Sequence, residues 1–538
     1  MKAFEEFNRE NRKNIIDQWA KSGHNIVGLE NDPVINLLLS ALSYQAYQIY
    51  RNINQSEEKL FRNFRDRTLP FHLTKPAPAF SILETSLKAG CAEKTLDENC
   101  SFEFVNSKKQ RIMLAPLCTT KVISATVNMK EQVEPHVCKI ALELLEPLES
   151  LTGLSFYVNS SEPVEINSIK IRNKELPLIK PSQFSELPFT EWFNNAHLFV
   201  NQNYYLFGTY DFWKEIFLTH TTQLYYIGKY GKEISTKGET SIELEVTFNT
   251  AVSNNDILKI NCVPVVNVEK KEVTLDERNP VKDLSSETEE FLNFLYEKNT
   301  ANDFENIILR QHSVERYNSE HLFEQIQEML YRFNTDYYAF QSIKELSATD
   351  KLDTFKELMD DFKSIVNKAE EKMIDAHYYA VLKKNSNESK RLDLKYLATS
   401  GAAANGIKEY SKPLKSPVVI DNAKTSLIMD TKGGRNSIKD ESQKEVIAKY
   451  YFQTKDRLVT PADISLFIKS FYFNEELLGN EIENITMNRE KEEIRISVVL
   501  KSDSYLHESE NIASLATLLQ NKISLRSSGI LPVRVNIS

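Results

Sequence analysis

Near the middle of the chain, residues 257–268 read Ile-Leu-Lys-Ile-Asn-Cys-Val-Pro-Val-Val-Asn-Val. The stretch is apolar apart from Lys259, Asn261 and Asn267, a pattern typical of a strand buried on both faces. Pro264 interrupts this pattern because proline has no amide hydrogen to donate to a ladder. We therefore predict a core strand that lies on a sheet edge, contains a bulge, or leaves one sheet for another at Pro264.

The composition is that of a folded, multidomain protein. The chain has 538 residues, too many for one core, so we expect about three or four domains. The net charge of −10, with scattered lysines and arginines, argues against nucleic acid as the main partner. The longest strongly apolar segment, Val34 to Leu42, is far shorter than the roughly 20 residues that span a bilayer, so direct membrane insertion is not expected.

The cysteines do not form a recognisable redox or metal pattern. Their number is odd, their spacing is irregular, and no Cys-x-x-Cys pair occurs. We predict a reduced, buried thiol at each of Cys91, Cys100, Cys118, Cys138 and Cys262, and no metal site or cofactor.

The N-terminal part is predicted to be helical. Residues 1–22 form an amphipathic pattern, and Asp32-Pro33 is typical of a helix start. The helix that follows should present an apolar seam to a bundle, within this chain or with partner helices. The seam consists of Ile35, Leu38, Leu39, Leu42, Ala46, Ile49 and Ile53. Leu42→Asp would then cost several kcal/mol, because it places a charge in the seam.

Beyond a second predicted helix, at residues 56–67, the chain turns to strands. The prolines of Lys75-Pro-Ala-Pro-Ala79 predict an extended connector into the first of them. Strand patterns from Phe80 to Val158 and at Ser241 to Phe248 favour a sandwich-like β-rich region. The many aromatic residues between Pro181 and Tyr230 suit a core or a protein interface. Helices are predicted at 287–296, 319–333 and 349–372, within a helical insert.

The last third has two turn-rich motifs followed by a small domain. Residues 396–407 are rich in small side chains, which permit tight turns or the close approach of another chain. The glycine pair in residues 429–436 lacks the phosphate-loop pattern, so nucleotide binding is not favoured. After a helix at 439–452, Thr460, Pro461 and Asp463 are typical of a capped helix start. The α-β-β-α-β order that follows favours a ferredoxin-like domain.

Two sets of motifs carry a family resemblance. Asn-Cys-Val-Pro-Val-Val-Asn (261–267) and the Leu-x-Lys-Pro-Ala-Pro connector (73–78) resemble the TssF family of type VI secretion baseplate subunits. Thr-Ser-Gly-Ala-Ala-Ala-Asn-Gly-Ile (399–407), Thr-Lys-Gly-Gly-Arg-Asn (431–436) and Asp-Arg-Leu-Val-Thr-Pro-Ala-Asp (456–463) resemble the C-terminal half of baseplate J-like wedge proteins of contractile phage tails. The insert at 281–390 matches neither.

The resemblance implies a structural, non-enzymatic wedge subunit in the cytoplasm, docked at the inner membrane through the rest of the machine. Its implied partners are TssG, TssK, a second copy of itself, and the TssE and VgrG spike region. Alternatives are a J-like wedge protein of another contractile injection system or phage tail and, less favoured, an enzyme. No nucleophile elbow, zinc-binding helix or phosphate loop supports an enzyme.

These observations predict a multidomain α+β protein with four regions. They are an N-terminal helical region (1–75), β-rich wedge domains (76–280), the helical insert (281–390) and a C-terminal assembly domain (391–538). Truncation after Lys390 is expected to leave the first two thirds soluble and to abolish self-association. The predicted interaction residues are Leu38, Leu42, Ile49, Gly401, Asn405, Gly433, Gly434 and Arg457.

Overall fold

The computed structural model divides the chain into two compact units, Met1–Pro70 with Tyr317–Asp375 (unit 1) and Phe71–Arg316 with Ala376–Ser538 (unit 2). The structure describes residues 4–22, 34–35, 38–47, 49–50, 71–160, 164–183, 186–194, 196–199, 206–208, 223–229, 234, 236–252, 258–286, 288–295, 307–311, 313–314, 317–318, 357–358, 361, 378–382, 391–438, 440–473, 476–490, 493–507, 509–527 and 532–538.

Unit 1 contains the predicted N-terminal helix, α1 (Phe4–Lys21), and helical residues within 34–50. The ring of Phe7 lies 5.4 Å from that of Tyr47, and Asn11 Nδ2 donates to Ser43 Oγ at 3.0 Å. Leu39 is buried on the same helical face as Ser43 and Tyr47. The helix predicted at 56–67 lies outside the described residues.

Three of the seven predicted seam residues do not face this core. Leu38, Leu42 and Ile49 are 58%, 54% and 60% exposed, as is Val34 at 64%. The intrachain packing interpretation of the seam is therefore wrong for these residues, because the neighbouring face with Ser43 and Tyr47 makes the contacts. Packing against partner helices stays a prediction.

Because Leu42 is exposed, Leu42→Asp is not expected to destabilise the isolated chain. A surface substitution changes the free energy of unfolding by about 0.5 kcal/mol or less, so we expect the variant to fold like the wild type. Urea unfolding followed by circular dichroism measures the difference. A loss of several kcal/mol would show that the side chain is buried in the folded monomer.

Unit 2 holds the sheets and most of the described helices. The first strands are β1 Phe80–Glu84, β2 Glu93–Leu96, β3 Phe102–Val105, β4 Arg111–Pro116, β5 Thr120–Ile123, β6 Ala125–Glu134, β7 Val137–Leu144, β8 Ser155–Val158, β9 Ile166–Ile171, β10 Lys174–Glu175 and β11 Leu178–Ile179. Next come β12 Ala196–Phe199, β13 Leu206–Gly208, β14 Leu224–Ile227, β15 Ser241–Phe248, β16 Leu258–Ile260, β17 Cys262–Val266, β18 Glu269–Leu275, β19 Val281–Asp283, β20 Glu290–Leu295, β21 Ile307–Gln311, β22 Ser313–Val314, β24 Tyr378–Leu382 and β25 Leu392–Thr399. Strand β23, Tyr317–Asn318, belongs to unit 1. The last are β26 Ser426–Leu427, β27 Tyr472–Phe473, β28 Glu476–Leu477, β29 Ile482–Arg489, β30 Ile494–Leu500 and β31 Val533–Ile537. The described helices of unit 2 are α2 Phe71–Thr74, α3 Glu191–Asn194, α4 Glu441–Thr454, α5 Pro461–Ser470 and α6 Ser509–Arg526.

Four sheets build the β-rich body. Their strand orders are β26-β1-β17-β4-β3, β10-β9-β15-β7-β6, β11-β14-β8-β16 and β13-β12-β20-β25-β18. Alternation along β15 buries Ile242, Leu244 and Val246 in the core that the second and third sheets share. Phe80, Val266 and Leu397 join a second core that links the first, third and fourth sheets. The predicted α+β class, with a β-rich centre, is confirmed.

The described part of the predicted insert consists largely of strands. Residues 290–295 form β20, so the helix predicted at 287–296 is wrong. Phe291, Phe294 and Leu295 are buried together with Leu292, and this burial on both faces overrides the helical spacing. Strand β24 pairs with β19 and β21 in a further sheet. The helix predicted at 319–333 lies outside the described residues, as does nearly all of that at 349–372.

The premise of the truncation after Lys390, that the β-rich core is separate from residues 391–538, is wrong. Strand β25 pairs with β18 on one side and β20 on the other, so it is a central strand of its sheet. Strand β26 extends the sheet of β1. Removal of residues 391–538 would take both strands from the β-rich body and expose its apolar interior.

The end of the chain has its own core, as predicted. Helices α5 and α6 and strands β29, β30 and β31 follow the α-β-β-α-β order, and β30 pairs in parallel with β31. Thr460 Oγ1 accepts from Asp463 N at 3.2 Å, and Asp463 Oδ2 accepts from Thr460 N at 2.8 Å. This capping box confirms the predicted helix start. Buried Phe467, Val498 and Leu519 belong to this core.

Candidate assembly junction

The central stretch changes sheet at Asn261. Strand β16 pairs with β8, whereas β17 lies between β1 and β4. Asn261 separates the two strands with a φ of 57°, in the left-handed region that asparagine tolerates better than most residues. The predicted passage between sheets is therefore present, but it occurs three residues before Pro264.

Pro264 lies in the middle of the β1–β17 ladder and just before the β17–β4 ladder begins. It is opposite Ile82 of β1, and its carbonyl accepts from Leu117 N at 2.8 Å. Pairing of β17 with β4 begins at the next residue, where Val265 faces Pro116. The missing amide hydrogen thus falls just before the two strands pair.

The side-chain amide of Asn261 bonds to the backbone of Ile123 in the way a neighbouring strand would. Nδ2 donates to Ile123 O at 2.8 Å, and Oδ1 accepts from Ile123 N at 2.9 Å. The backbone carbonyl of Asn261 accepts from Thr85 N at 3.0 Å. This buried amide satisfies both polar groups of Ile123, at the end of β5, as a neighbouring strand would.

Asn267 connects the central stretch to the last third of the chain. Oδ1 accepts from Thr399 Oγ1 at 2.9 Å and from Ser400 N at 2.8 Å. Nδ2 donates to Met113 O at 2.9 Å, and the backbone N–H donates to Ala79 O at 2.8 Å. With 2% of its surface exposed, Asn267 ties four separate segments together.

The loop after β25 interlocks with the turn at residues 431–437. Asn405 Nδ2 donates to Gly434 O, and Gly434 N donates to Asn405 Oδ1, both at 2.7 Å. Asn436 Oδ1 accepts from Ala402 N at 3.0 Å. Thr431 Oγ1 donates to Ala404 O at 2.6 Å. We call Asn267, residues 399–405 and residues 431–437 the central junction.

Two glycines permit this close approach. A Cβ atom on Gly434 would lie 2.3 Å from Gly401 O and 2.8 Å from Asn405 Oδ1. A Cβ atom on Gly401, whose φ is +53°, would lie 2.4 Å from Asn436 Oδ1. The small residues therefore bring two segments of the same chain together, whereas the sequence had left open tight turns or the approach of another chain.

The proline-rich connector docks on the same turn. Ala77 N donates to Arg435 O at 2.8 Å, and Arg435 Nη2 donates to Lys75 O at 2.7 Å. The Lys75 side chain is buried, with Nζ 3.1 Å from the ring centroid of Tyr378 and 5.5 Å from that of Phe291. Burial holds the pKa of Lys75 well below its ordinary value; Glu290 opposes this shift and Lys444 adds to it.

This lowered pKa makes stability depend on pH. Between the lowered pKa and the ordinary value of 10.5, the unfolded chain binds more protons at Lys75 than the folded chain does. Stability therefore rises with pH through that window. We expect Lys75→Met to remove this contribution, so its stability relative to wild type is highest below the window and falls as pH approaches 10.5. Urea unfolding at a series of pH values tests this.

The exposed Lys412→Met variant is the control for loss of a lysine. A difference between Lys75→Met and wild type that is independent of pH would contradict the argument. A trend of opposite sign would do so as well.

The structure brings together only some of the eight predicted interaction residues. Gly401, Asn405 and Gly434 make contacts in the central junction, and Gly433, with φ +84°, lies in the same turn. Arg457 is exposed on the turn after α4, in the C-terminal core region. Leu38, Leu42 and Ile49 belong to unit 1. The predicted interaction residues did not include Asn267, Thr431 or Asn436. For Asn267 a signal was available, because it is an asparagine within an apolar run.

The cysteines and acidic residues of the described chain show no metal-binding group of three or more ligands. All five thiols are free. Cys100, Cys118, Cys138 and Cys262 are buried, as predicted, whereas the predicted burial of Cys91 is wrong, because this residue is half-buried. Burial raises the pKa of the Cys262 thiol well above its ordinary value, with Glu84 adding to the effect. A protonated thiol in this core is a poor nucleophile.

The helices of the described residues include none that is both long enough and apolar enough to span a membrane.

No protein-family model matches the chain, and no curated protein matches it. A chain of the type VI secretion system TssK-TssF-TssG baseplate subcomplex is 11% identical with a TM-score of 0.40, over 93% of this chain and 96% of that chain. A chain of the anti-feeding prophage baseplate is 8% identical with a TM-score of 0.25, over 98% of this chain and 70% of that chain. At such low TM-scores, the evidence about function comes from the chain's own residues.

Proposed function

We propose that this protein is a structural wedge subunit of a type VI secretion baseplate, with no catalytic role. It assembles with TssG, TssK and a second copy of itself around the TssE and VgrG spike region. In this position it templates the assembly of sheath and tube. It acts in the cytoplasm, on a baseplate docked at the inner membrane through the rest of the machine.

The central junction is the observation that carries this proposal. The motif that resembles TssF (261–267) and the motifs that resemble J-like wedge proteins (399–407 and 431–436) lie far apart in sequence. Asn267, at the end of the first, accepts hydrogen bonds from Thr399 and Ser400 of the second, and Asn405 pairs with Gly434 of the third. Both sets of motifs therefore serve one buried framework, which suits a rigid part of a large assembly.

The chemistry of the described core favours a scaffold. The polar side chains of the central junction bond to backbone groups and to each other, which fixes segments in place. Burial of Cys118, Cys262 and Lys75 removes them from solvent and substrate. The four regions predicted from the sequence remain part of the proposal, with the C-terminal core from Glu441 onward as its most independent module.

The proposal assigns the exposed apolar residues of unit 1 to a partner. Val34, Leu38, Leu42 and Ile49 lie at helical spacings of four and seven and are each more than half exposed. Apolar residues at this spacing fit the apolar face of a partner helix. We therefore place the contact with TssG on these residues.

Co-expression with a candidate TssG and a candidate TssK tests the assignment. Native mass measurement should give a complex with two copies of this chain and one TssG. Leu42→Asp should reduce recovery of TssG at least tenfold, whereas Ala20→Asp, at an exposed position of α1, should leave it near wild type. A 1:1 complex, no complex, or equal recovery with both variants would count against the proposal.

A further inference from the structure

A small cavity lies where the connector meets the C-terminal core. Its walls come from α2, from the 431–437 turn, from helices α4, α5 and α6, and from the residues that follow α5. The lining residues are Leu73, Arg435, Ile447, Tyr450, Phe467, Ser470, Phe471, Tyr472, Lys522 and Arg526. The space open to a water-sized sphere is about 40 Å³. Since one water needs about 10–15 Å³ on this measure, the cavity has room for about three water molecules.

Positive charge dominates the described lining of this cavity. Arg435, Lys522 and Arg526 contribute three cations, and no carboxylate is among the lining residues. Behind them, Asp456 Oδ1 accepts from Arg526 Nε at 2.8 Å and from Tyr450 Oη at 2.5 Å. Asp456 therefore offsets part of the charge of Arg526 from outside the cavity.

The cations are held in place by their surroundings. The guanidinium of Arg526, 7% exposed, lies 5.2 Å from the ring centroid of Phe467. Lys522 Nζ lies 5.8 Å from the ring centroid of Phe471, and Arg435 Nη2 is fixed on Lys75 O. Burial raises the pKa of Tyr450, and Asp456 adds to this effect, as expected beside a poorly solvated space. Preorganised cations in such surroundings attract anions more strongly than cations in water do.

We propose that this cavity is a binding site for one small oxyanion group, a carboxylate or a phosphate. A planar carboxylate or a compact phosphoryl group matches the size of the cavity, and two guanidinium groups with an ammonium group match its charge. The apolar wall of Ile447, Phe467 and Phe471 excludes larger hydrated ligands. The site is independent of the proposed role in a baseplate.

Isothermal titration of the full-length chain with inorganic phosphate and with acetate, at constant ionic strength in sodium chloride, tests the site. We expect saturable binding of at least one of the two anions, with one site per chain. The anion that binds more tightly identifies the source, phosphate or carboxylate. Absence of saturable binding with both anions would overturn the proposal.

Two substitutions at one position sharpen the test. Lys522→Gln removes one cation and should weaken binding at least tenfold. Lys522→Glu places a carboxylate at the cavity and should abolish binding of the added anion, with the circular dichroism spectrum unchanged. Lys469→Gln, on an exposed lysine of α5 outside the cavity, is the matched control and should bind within twofold of wild type. Equal affinities for Lys522→Gln, Lys469→Gln and wild type would show that any binding occurs elsewhere.

Discussion

Gly434→Ala is expected to destabilise unit 2 by about 3 kcal/mol or more, as overpacking of a closely fitted interior does. The new Cβ atom would lie 2.3 Å from Gly401 O, 2.8 Å from Asn405 Oδ1 and 3.0 Å from Ala79 Cβ. Gly401 O and Ala79 Cβ are fixed to the backbone, so a rotation of a side chain cannot relieve these two contacts. The loop, the turn and β1 must separate instead.

Hydrogen exchange of residues 396–407 and 430–438, with the urea midpoint, measures this effect. Both segments should exchange faster in the variant, because the Asn405–Gly434 pair no longer forms. Gly228→Ala is the matched control, since its Cβ would meet Pro177 O and Ile179 at 3.4–3.6 Å, ordinary contact distances. If both variants unfold at the wild-type urea concentration, the close packing at Gly434 is not real.

Asn267→Ala should lower the free energy of unfolding by about 3–5 kcal/mol. Each buried polar group left without a partner costs about 1–3 kcal/mol, and this substitution affects several such groups. The substitution removes the acceptor of Thr399 Oγ1 and Ser400 N, and the donor to Met113 O. The alanine methyl group also leaves space in the core that β17 shares with β25. We expect loosening of the connection between the two halves of the β-rich body.

The urea midpoint and exchange at residues 396–400 and 111–115 measure the consequence. Asn484→Ala, at an exposed strand position of the C-terminal sheet, is the control and should change stability by about 0.5 kcal/mol or less. A variant at Asn267 with wild-type stability would mean that water or neighbouring groups replace all three hydrogen bonds.

The sequence predicted local features correctly where neighbouring residues alone determine the structure of a segment. The capping box at Thr460 and Asp463 depends on four consecutive residues, so spacing alone predicted it. Alternation along β15 and the buried cysteines followed in the same way from residue type. The α-β-β-α-β order of the C-terminal core was also correct, because each of its elements has a clear period.

The sequence misled where packing on both faces overrides local spacing. Residues 290–295 have a composition compatible with a helix, yet β12 and β25 bind their backbone on both sides as β20. Similarly, the seam of Leu38, Leu42 and Ile49 was read as a buried face. Which helical face is covered depends on neighbours such as Phe7 and Asn11, which lie elsewhere in the chain.

The sequence by itself determined that residues 257–268 form apolar strand structure, that proline restricts it, and that glycines at 401 and 434 allow close approach. Tertiary structure alone decided that the strand changes sheet at Asn261, and that the glycines bring two segments of one chain together rather than two chains. The physical reason is that strand pairing and side-chain amide bonds join residues far apart in sequence. Asn267 meets Thr399 across 132 positions, and no local pattern specifies that partner.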